Sequence, residues 1–167
     1  MESTFIALGS NEGDREANLR GARDFLQRSE GINLLASSAL YETEPVGGPP
    51  DQGLYLNAVL AATTTLTARA LLELCLQVEE SFGRMRNEPM APRTLDLDIL
   101  FYGDHIIDEP DLVIPHPRLH ERAFVLVPLR DLAPDLVHPV LKKSVRRLLG
   151  DFEPVEERKV RLWADQW

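Results

Sequence analysis

Asp96 and Asp98 stand two residues apart in the stretch Pro92-Arg93-Thr94-Leu95-Asp96-Leu97-Asp98-Ile99-Leu100-Phe101. Polar and large apolar side chains alternate there, which predicts a β-strand. Residues two apart on a strand point the same way, so both carboxylates share one face, while Leu95, Leu97 and Ile99 share the other. An Asp-x-Asp pair alone is more often a solvated strand face than a site. Aspartate is nevertheless disfavoured in strands, and adjacent carboxylates repel. A divalent cation relieves that repulsion, and hard carboxylate oxygens suit Mg²⁺. Arg84, Arg86 and Arg93 precede the pair, and Arg118 and Arg122 follow it. Arginine grips phosphate with two parallel hydrogen bonds and keeps its charge at any working pH, so metal and arginines together point to phosphate chemistry. Glu79, one helical turn before Gly83, is placed to support these arginines.

Other candidates are of a different kind. Tyr55 and Asn57 share a strand face. Tyr55 offers a flat stacking surface, Asn57 offers a donor and an acceptor for the edge of a heterocycle, and Phe124 is available to close the other side. His116 lies in Ile114-Pro115-His116-Pro117, where flanking prolines stiffen the loop. By itself it reads as structural, and His120 and His138 read as more ordinary still. Gly9-Ser10-Asn11-Glu12-Gly13-Asp14 is a strand-to-helix turn without the Lys and Ser/Thr of a phosphate-binding P-loop, and no dinucleotide fingerprint occurs. Paired-cysteine zinc spacing and a Ser-His-Asp order are also missing. A bound nucleotide must therefore be held by arginines and metal. Two rivals remain at this level: another Mg²⁺-dependent phosphoryl or nucleotidyl transferase, and a small-molecule sensor, which needs no paired aspartates beside arginines.

The elements that must position these groups follow from patterning. Thr4 to Leu8 reads as a first strand. Asp14 caps a helix that turns Leu19, Ala22 and Leu26 to one side. Ile32 to Tyr41 and Tyr55 to Thr64 read as strands, separated by the Pro/Gly-rich loop 44–53. Thr67 caps a helix with Leu71, Cys75, Val78 and Phe82 inward, ended by Gly83. A loop over 84–92 leads into the aspartate strand, which runs to about Tyr102. Gly103-Asp104 then predicts a turn, with His105 to Ile107 returning as a hairpin strand. Short helices are expected over Phe124 to Leu132 and Ser144 to Leu149, and an edge strand over Val160 to Trp163. The order strand, helix, strand, strand, helix, strand predicts an α+β sandwich of the ferredoxin-like type, an antiparallel sheet covered by helices with additional short elements.

The 167 residues suffice for one domain spanning 1–167. A net charge of -9 argues against a nucleic-acid binder, and only three of the basic residues are lysines. The single cysteine, Cys75, sits among leucines and reads as a core residue. No signal peptide and no membrane-length apolar run is evident, so a cytoplasmic location away from membranes is expected, with the chain acting as a monomer.

Several motifs in fixed order resemble one family. They are Ala7-Leu8-Gly9-Ser10-Asn11, Tyr41-x-Thr43-x-Pro45, Tyr55-Leu56-Asn57-Ala58, Glu79-x-x-x-Gly83-Arg84-x-Arg86, the Pro92 to Leu100 stretch, Ile114-Pro115-His116-Pro117-Arg118 and Arg122-Ala123-Phe124-Val125-Leu126-x-Pro128-Leu129. Together, over the first strand to about Pro139, the chain resembles the 6-hydroxymethyl-7,8-dihydropterin pyrophosphokinases of folate biosynthesis. The resemblance implies the ferredoxin-like fold and transfer of pyrophosphate from ATP to a pterin hydroxymethyl group, releasing AMP. It implies two Mg²⁺ ions on Asp96 and Asp98. It also implies an ATP site formed by Glu79, Arg84, Arg86, Arg93, Ile99, His116 and Arg122, with Arg84 and Arg93 catalytic beside the aspartates. Thr43, Pro45, Val46, Tyr55, Asn57 and Phe124 would hold the pterin. Met90 and Pro117 depart from the best-known bacterial pattern, which has a tryptophan and a tyrosine there.

Overall fold

The computed structural model describes residues 1–45, 52–83 and 94–167. Three strands carry residues buried on both faces: β1 (Glu2–Ser10), β4 (Tyr55–Thr64) and β5 (Asp96–Tyr102). β1 pairs antiparallel with β4 on one side and β5 on the other. β2 (Ile32–Ser37) and β3 (Leu40–Thr43) lie in succession along the far edge of β4, and β8 (Arg161–Ala164) pairs outside β3. Among the described residues this makes a six-stranded antiparallel sheet, β5-β1-β4-β3-β8 with β2 also on β4.

One face is covered by α1 (Arg15–Gln27) and α2 (Ala68–Ser81). Both begin where the sequence places a cap. The Asp14 carboxylate accepts from Ala17 N–H at 3.1 Å, and Thr67 Oγ1 accepts from Ala70 N–H at 3.1 Å. Each satisfies an amide that the first turn leaves without a helical partner. Leu19, Ala22 and Leu26 of α1 and Leu71, Cys75 and Val78 of α2 pack onto Ile6, Leu8, Leu56, Leu97 and Ile99. Gly83, at φ +77, follows the α2 cap in the left-handed conformation that glycine adopts without cost.

The opposite face has its own core. α3 (Ala123–Leu132) and α4 (Val145–Gly150, capped by Ser144) bury Val125, Leu126, Leu129, Val145, Leu148 and Leu149 against Phe5, Val59, Leu100 and Phe101. Helices therefore cover both faces of the sheet. A register shift between Phe5 and Ile6, opposite Phe101 and Ile99, adds to the second core. It inserts Leu100 as an extra residue, so consecutive Leu100 and Phe101 both reach the second core.

The expected strand from Ile32 to Tyr41 is in fact two. Ser38 interrupts it: its N–H donates to Val59 O and its Oγ accepts from Val59 N–H, both at 2.9 Å, replacing regular ladder bonds. The expected return of His105 to Ile107 is also corrected. Gly103 turns the chain at φ +54, but β6 (Ile107–Glu109) pairs with β7 (Leu112–Ile114) as a separate hairpin. Arg69 on α2 holds that hairpin through Glu109 and through Asp111 at 2.8 Å. A 3₁₀ turn at Leu119–Glu121 and α5 (Pro154–Arg158) are further short elements. Among the described residues no helix is long and apolar enough to cross a membrane.

Candidate active site

The register of three strands builds the site. Gly9 pairs with Asp96 on one side and Asn57 on the other, and Ala7 pairs with Asp98 and Val59. Paired residues share a face, so both aspartates and Asn57 rise from one side of the sheet, with only Gly9 and Ala7 between them. Each strand spacing is roughly 4.8 Å, which leaves about 10 Å between the β5 and β4 side chains. The result is a cleft of about 610 Å³. Its walls include Thr43 and Pro45 from the end of β3, Tyr55 and Asn57 from β4, Glu79 from α2, Asp96 and Asp98 from β5, and His116, Arg122 and Phe124 from the segment leading into α3.

Hydrogen bonds fix several of these groups. Asn57 Nδ2 donates to Thr43 Oγ1 at 2.7 Å, in a buried position that leaves the amide oxygen turned to the floor of the cleft. A Cβ on Gly9 would lie 3.1 Å from Asn57 Oδ1 and 3.5 Å from the Tyr55 ring. Glu79 is only 1% exposed, and its Oε2 accepts from Leu97 N–H at 2.8 Å. β5 is an edge strand, so Glu79 satisfies an amide between the two aspartates that would otherwise be buried with its partner missing.

His116 is held from both ends. Its N–H donates to Leu100 O at 3.1 Å, and its Nδ1 accepts from Arg118 N–H at 3.1 Å. That assigns the ring proton to Nε2, which lies 3.9 Å from Asp98 Oδ1. Burial lowers its pKa to about 4, Arg122 and Arg118 push the same way, and Asp96 opposes them. The imidazole is therefore neutral near pH 7, a hydrogen-bond donor rather than a cation. The Arg122 guanidinium lies 5.6 Å from the centre of the Phe124 ring, so charge and aromatic surface adjoin on this wall.

Ten of the sequence-derived candidates thus converge on one cleft. Ile99 does not line it; its side chain is packed in the core with α1 and α2, on the other face of β5. Val46, Arg84, Arg86 and Arg93 lie outside the described residues. Ala7 and Gly9, which the motifs include without a role, also line the cleft. Asp111 also lines the cleft, from the turn of the β6–β7 hairpin. The available signal for Gly9 was a glycine inside a strand, which often marks a close approach of ligand or backbone.

Among the described residues no cluster of three or more His, Cys, Asp and Glu side chains forms a metal site. The donor set still fits Mg²⁺. Asp96 and Asp98 supply hard oxygens on one face above small residues, and Asp98 is 36% exposed. Mg²⁺ commonly takes one or two carboxylates and completes its shell with water and phosphate oxygens.

The sequence model of the family described as 7,8-dihydro-6-hydroxymethylpterin-pyrophosphokinase matches residues 5–134. The chain belongs to this family. It is 44% identical over 154 residues to the 2-amino-4-hydroxy-6-hydroxymethyldihydropteridine pyrophosphokinase of Methylorubrum extorquens, covering 92% of this chain and 96% of that protein. The protein of the same name from Bacillus subtilis is 44% identical over 128 residues, 77% of this chain and 76% of that one. Among solved structures, Plasmodium falciparum HPPK-DHPS wild type with SDX-DHP superposes with a TM-score of 0.70 at 17% identity. That match covers 90% of this chain and 43% of the longer one, and it establishes the ferredoxin-like α+β fold. Family membership makes the chain a diphosphotransferase with ATP as its co-substrate.

Proposed function

We propose that the cleft over Gly9 and Ala7 is where the chain carries out its family's reaction. That reaction is pyrophosphoryl transfer from ATP to the hydroxymethyl group of 6-hydroxymethyl-7,8-dihydropterin, in folate biosynthesis. The observation that carries this assignment is the register. It puts two carboxylates and an aromatic-amide pair on one face, about two strand spacings apart. The pterin lies between Tyr55 and Phe124 with its polar edge on Asn57, whose orientation Thr43 sets. Pro45 lines the same wall, and Val46, next in the chain, is assigned to the pterin with it. ATP lies on the other side, against His116 and Arg122, with Glu79 supporting the strand between the aspartates; Arg84, Arg86 and Arg93 are assigned to the same substrate.

Asp96 and Asp98 would hold two Mg²⁺ ions, which would offset the charge of the phosphates. The pterin hydroxyl oxygen forms its bond to the β-phosphorus as the bond from that phosphorus to the α-phosphate oxygen breaks; AMP leaves with the electron pair, and the hydroxyl proton passes to solvent. Arg84 and Arg93 meet the charge on the group in transit, and neutral His116 donates to a phosphate oxygen from Nε2. Tyr55 and Phe124, packed against the pterin, keep water from the transfer.

The proposed unit is a monomer of one domain. One chain supplies both walls of the cleft, and β8 folds into the main sheet with the rest. A reducing cytoplasm suits Cys75, whose thiol is buried and whose pKa burial pushes up, which keeps it unreactive. The test is product identity. Incubation with ATP, Mg²⁺ and the reduced pterin should give AMP and pyrophosphorylated pterin in equal amounts. ADP as the co-product would overturn the assignment.

A further inference from the structure

β8 lies outside residues 5–134, the stretch that the family matches, yet it is built into the pterin end of the sheet. It pairs with β3 from Leu40↔Ala164 to Glu42↔Arg161. β3 thereby has a strand on each side. Without β8 it would be a four-residue edge strand ending at the cleft, and short edge segments open easily. The last residue of β3 is Thr43, which orients Asn57.

One guanidinium joins these pieces. Arg15 of α1 lies 2.9 Å from Glu42 of β3 and donates to the Leu54 carbonyl, next to Tyr55, at 2.9 Å. The same group sits 5.0 Å from the centre of the Trp163 ring on β8. Arg161 approaches Glu42 at 3.5 Å from the β8 side. Trp163 is itself oriented by Nε1 donating to Glu16 at 3.4 Å. Beyond β8, Trp167 Nε1 donates to Ser38 O at 2.7 Å, at the break before β3. The indole face, itself 49% exposed, attracts the guanidinium and adds a third contact to those with Glu42 and Leu54.

We propose that β8 is a strap that positions the pterin wall of the cleft, with Arg15 and Trp163 as the positioning residues. This rests on the assignment of Thr43, Tyr55 and Asn57 to the pterin. The strap acts on one substrate only, because Asp96 and Asp98 lie on β5, separated from β3 by β1 and β4. It holds the strand that carries Thr43 and the entry to Tyr55 in one register.

Steady-state kinetics of the full chain test this. Trp163→Ala raises KM for the dihydropterin roughly three- to tenfold, the size of a partly shielded cation–aromatic contact, while kcat and KM for ATP stay within about twofold. Amide exchange at Glu42, Thr43 and Tyr55 speeds up in the same variant, and Trp163→Phe, which keeps an aromatic face, recovers most of the loss. An unchanged pterin KM overturns the strap, as does a parallel rise in both KM values, which would mean general loosening. Should Trp163→Ala fail to fold, Glu42→Gln, which removes the Arg15 ion pair, is read with the same expected and contrary results. Asn57→Ala is run beside it. If Asn57→Ala raises the pterin KM and Trp163→Ala does not, only the strap fails. If Asn57→Ala has no effect, the pterin assignment fails and the strap with it.

Discussion

Gly9 matters because of what it lacks. It lies between Asp96 and Asn57 on neighbouring strands, and a methyl group there would meet Asn57 Oδ1 at 3.1 Å. Asn57 is already tied to Thr43 at 2.7 Å and has little freedom to yield. Gly9→Ala should therefore displace the amide proposed to read the pterin edge and raise the pterin KM roughly tenfold, since small displacements of an orienting group are costly. Measurement of both KM values checks this; a loss confined to ATP would contradict it. Residue chemistry was the most legible part of the sequence. The shared face of Asp96 and Asp98, and that of Tyr55 and Asn57, follow from strand periodicity alone. What periodicity does not give is register between strands, and register is what sets Gly9 between the aspartates and Asn57. Periodicity also sets Ile99 on the face opposite Asp98, and its side chain is packed there with α1 and α2.

α2 and β5 meet through one hydrogen bond that bears on both stability and the site. Glu79 Oε2 accepts from Leu97 N–H at 2.8 Å, between the two aspartates. Glu79→Leu keeps bulk but removes the acceptor, so it should cost about 1–3 kcal/mol of stability and lower turnover as the strand shifts. Glu79→Gln keeps an acceptor oxygen and should recover most of the stability. Urea denaturation of both variants checks the pair; equal stability in the two would contradict this role. The helices themselves were legible because caps at Asp14, Thr67 and Ser144 and apolar spacing agree. The break at Ser38 was not, because it arises from bonds to Val59 on another strand. The β6–β7 hairpin escaped for a similar reason: its anchor, Arg69, comes from α2, some forty residues away. α5 and the turn at Leu119–Glu121 are too short for periodicity to register.

Across the whole molecule two cores hold one sheet, and the second shows how stability should depend on pH. His138 is buried against Phe101, with ring centres 5.8 Å apart, and its Nδ1 accepts from both Val140 N–H and Leu141 N–H at 3.1 Å. Protonating Nδ1 would break both bonds. Burial holds the pKa below the usual 6.5, and the neighbouring His120 lowers it further. The unfolded chain then binds the proton more readily, so the neutral ring stabilises fully above about pH 6.5, and that contribution is lost as pH falls below it. His138→Gln, which keeps an acceptor that does not titrate, should show a smaller drop in melting temperature between pH 7.5 and pH 5 than the natural chain, by roughly a few degrees. An identical drop would contradict the assignment. The second core was expected only as short helices, because the inserted Leu100 breaks the alternation that would have revealed a second buried face. Both cores brace the strand that carries the aspartates, and the account as a whole depends on that pair. The most direct measurement is single-turnover AMP release from ATP and the dihydropterin with Mg²⁺, comparing the natural chain with Asp96→Asn and Asp98→Asn. The account predicts a loss of roughly a hundredfold or more in each variant with the fold retained, as expected when several kcal/mol of charge stabilisation are removed. Release within a fewfold of the natural rate in either variant would contradict it.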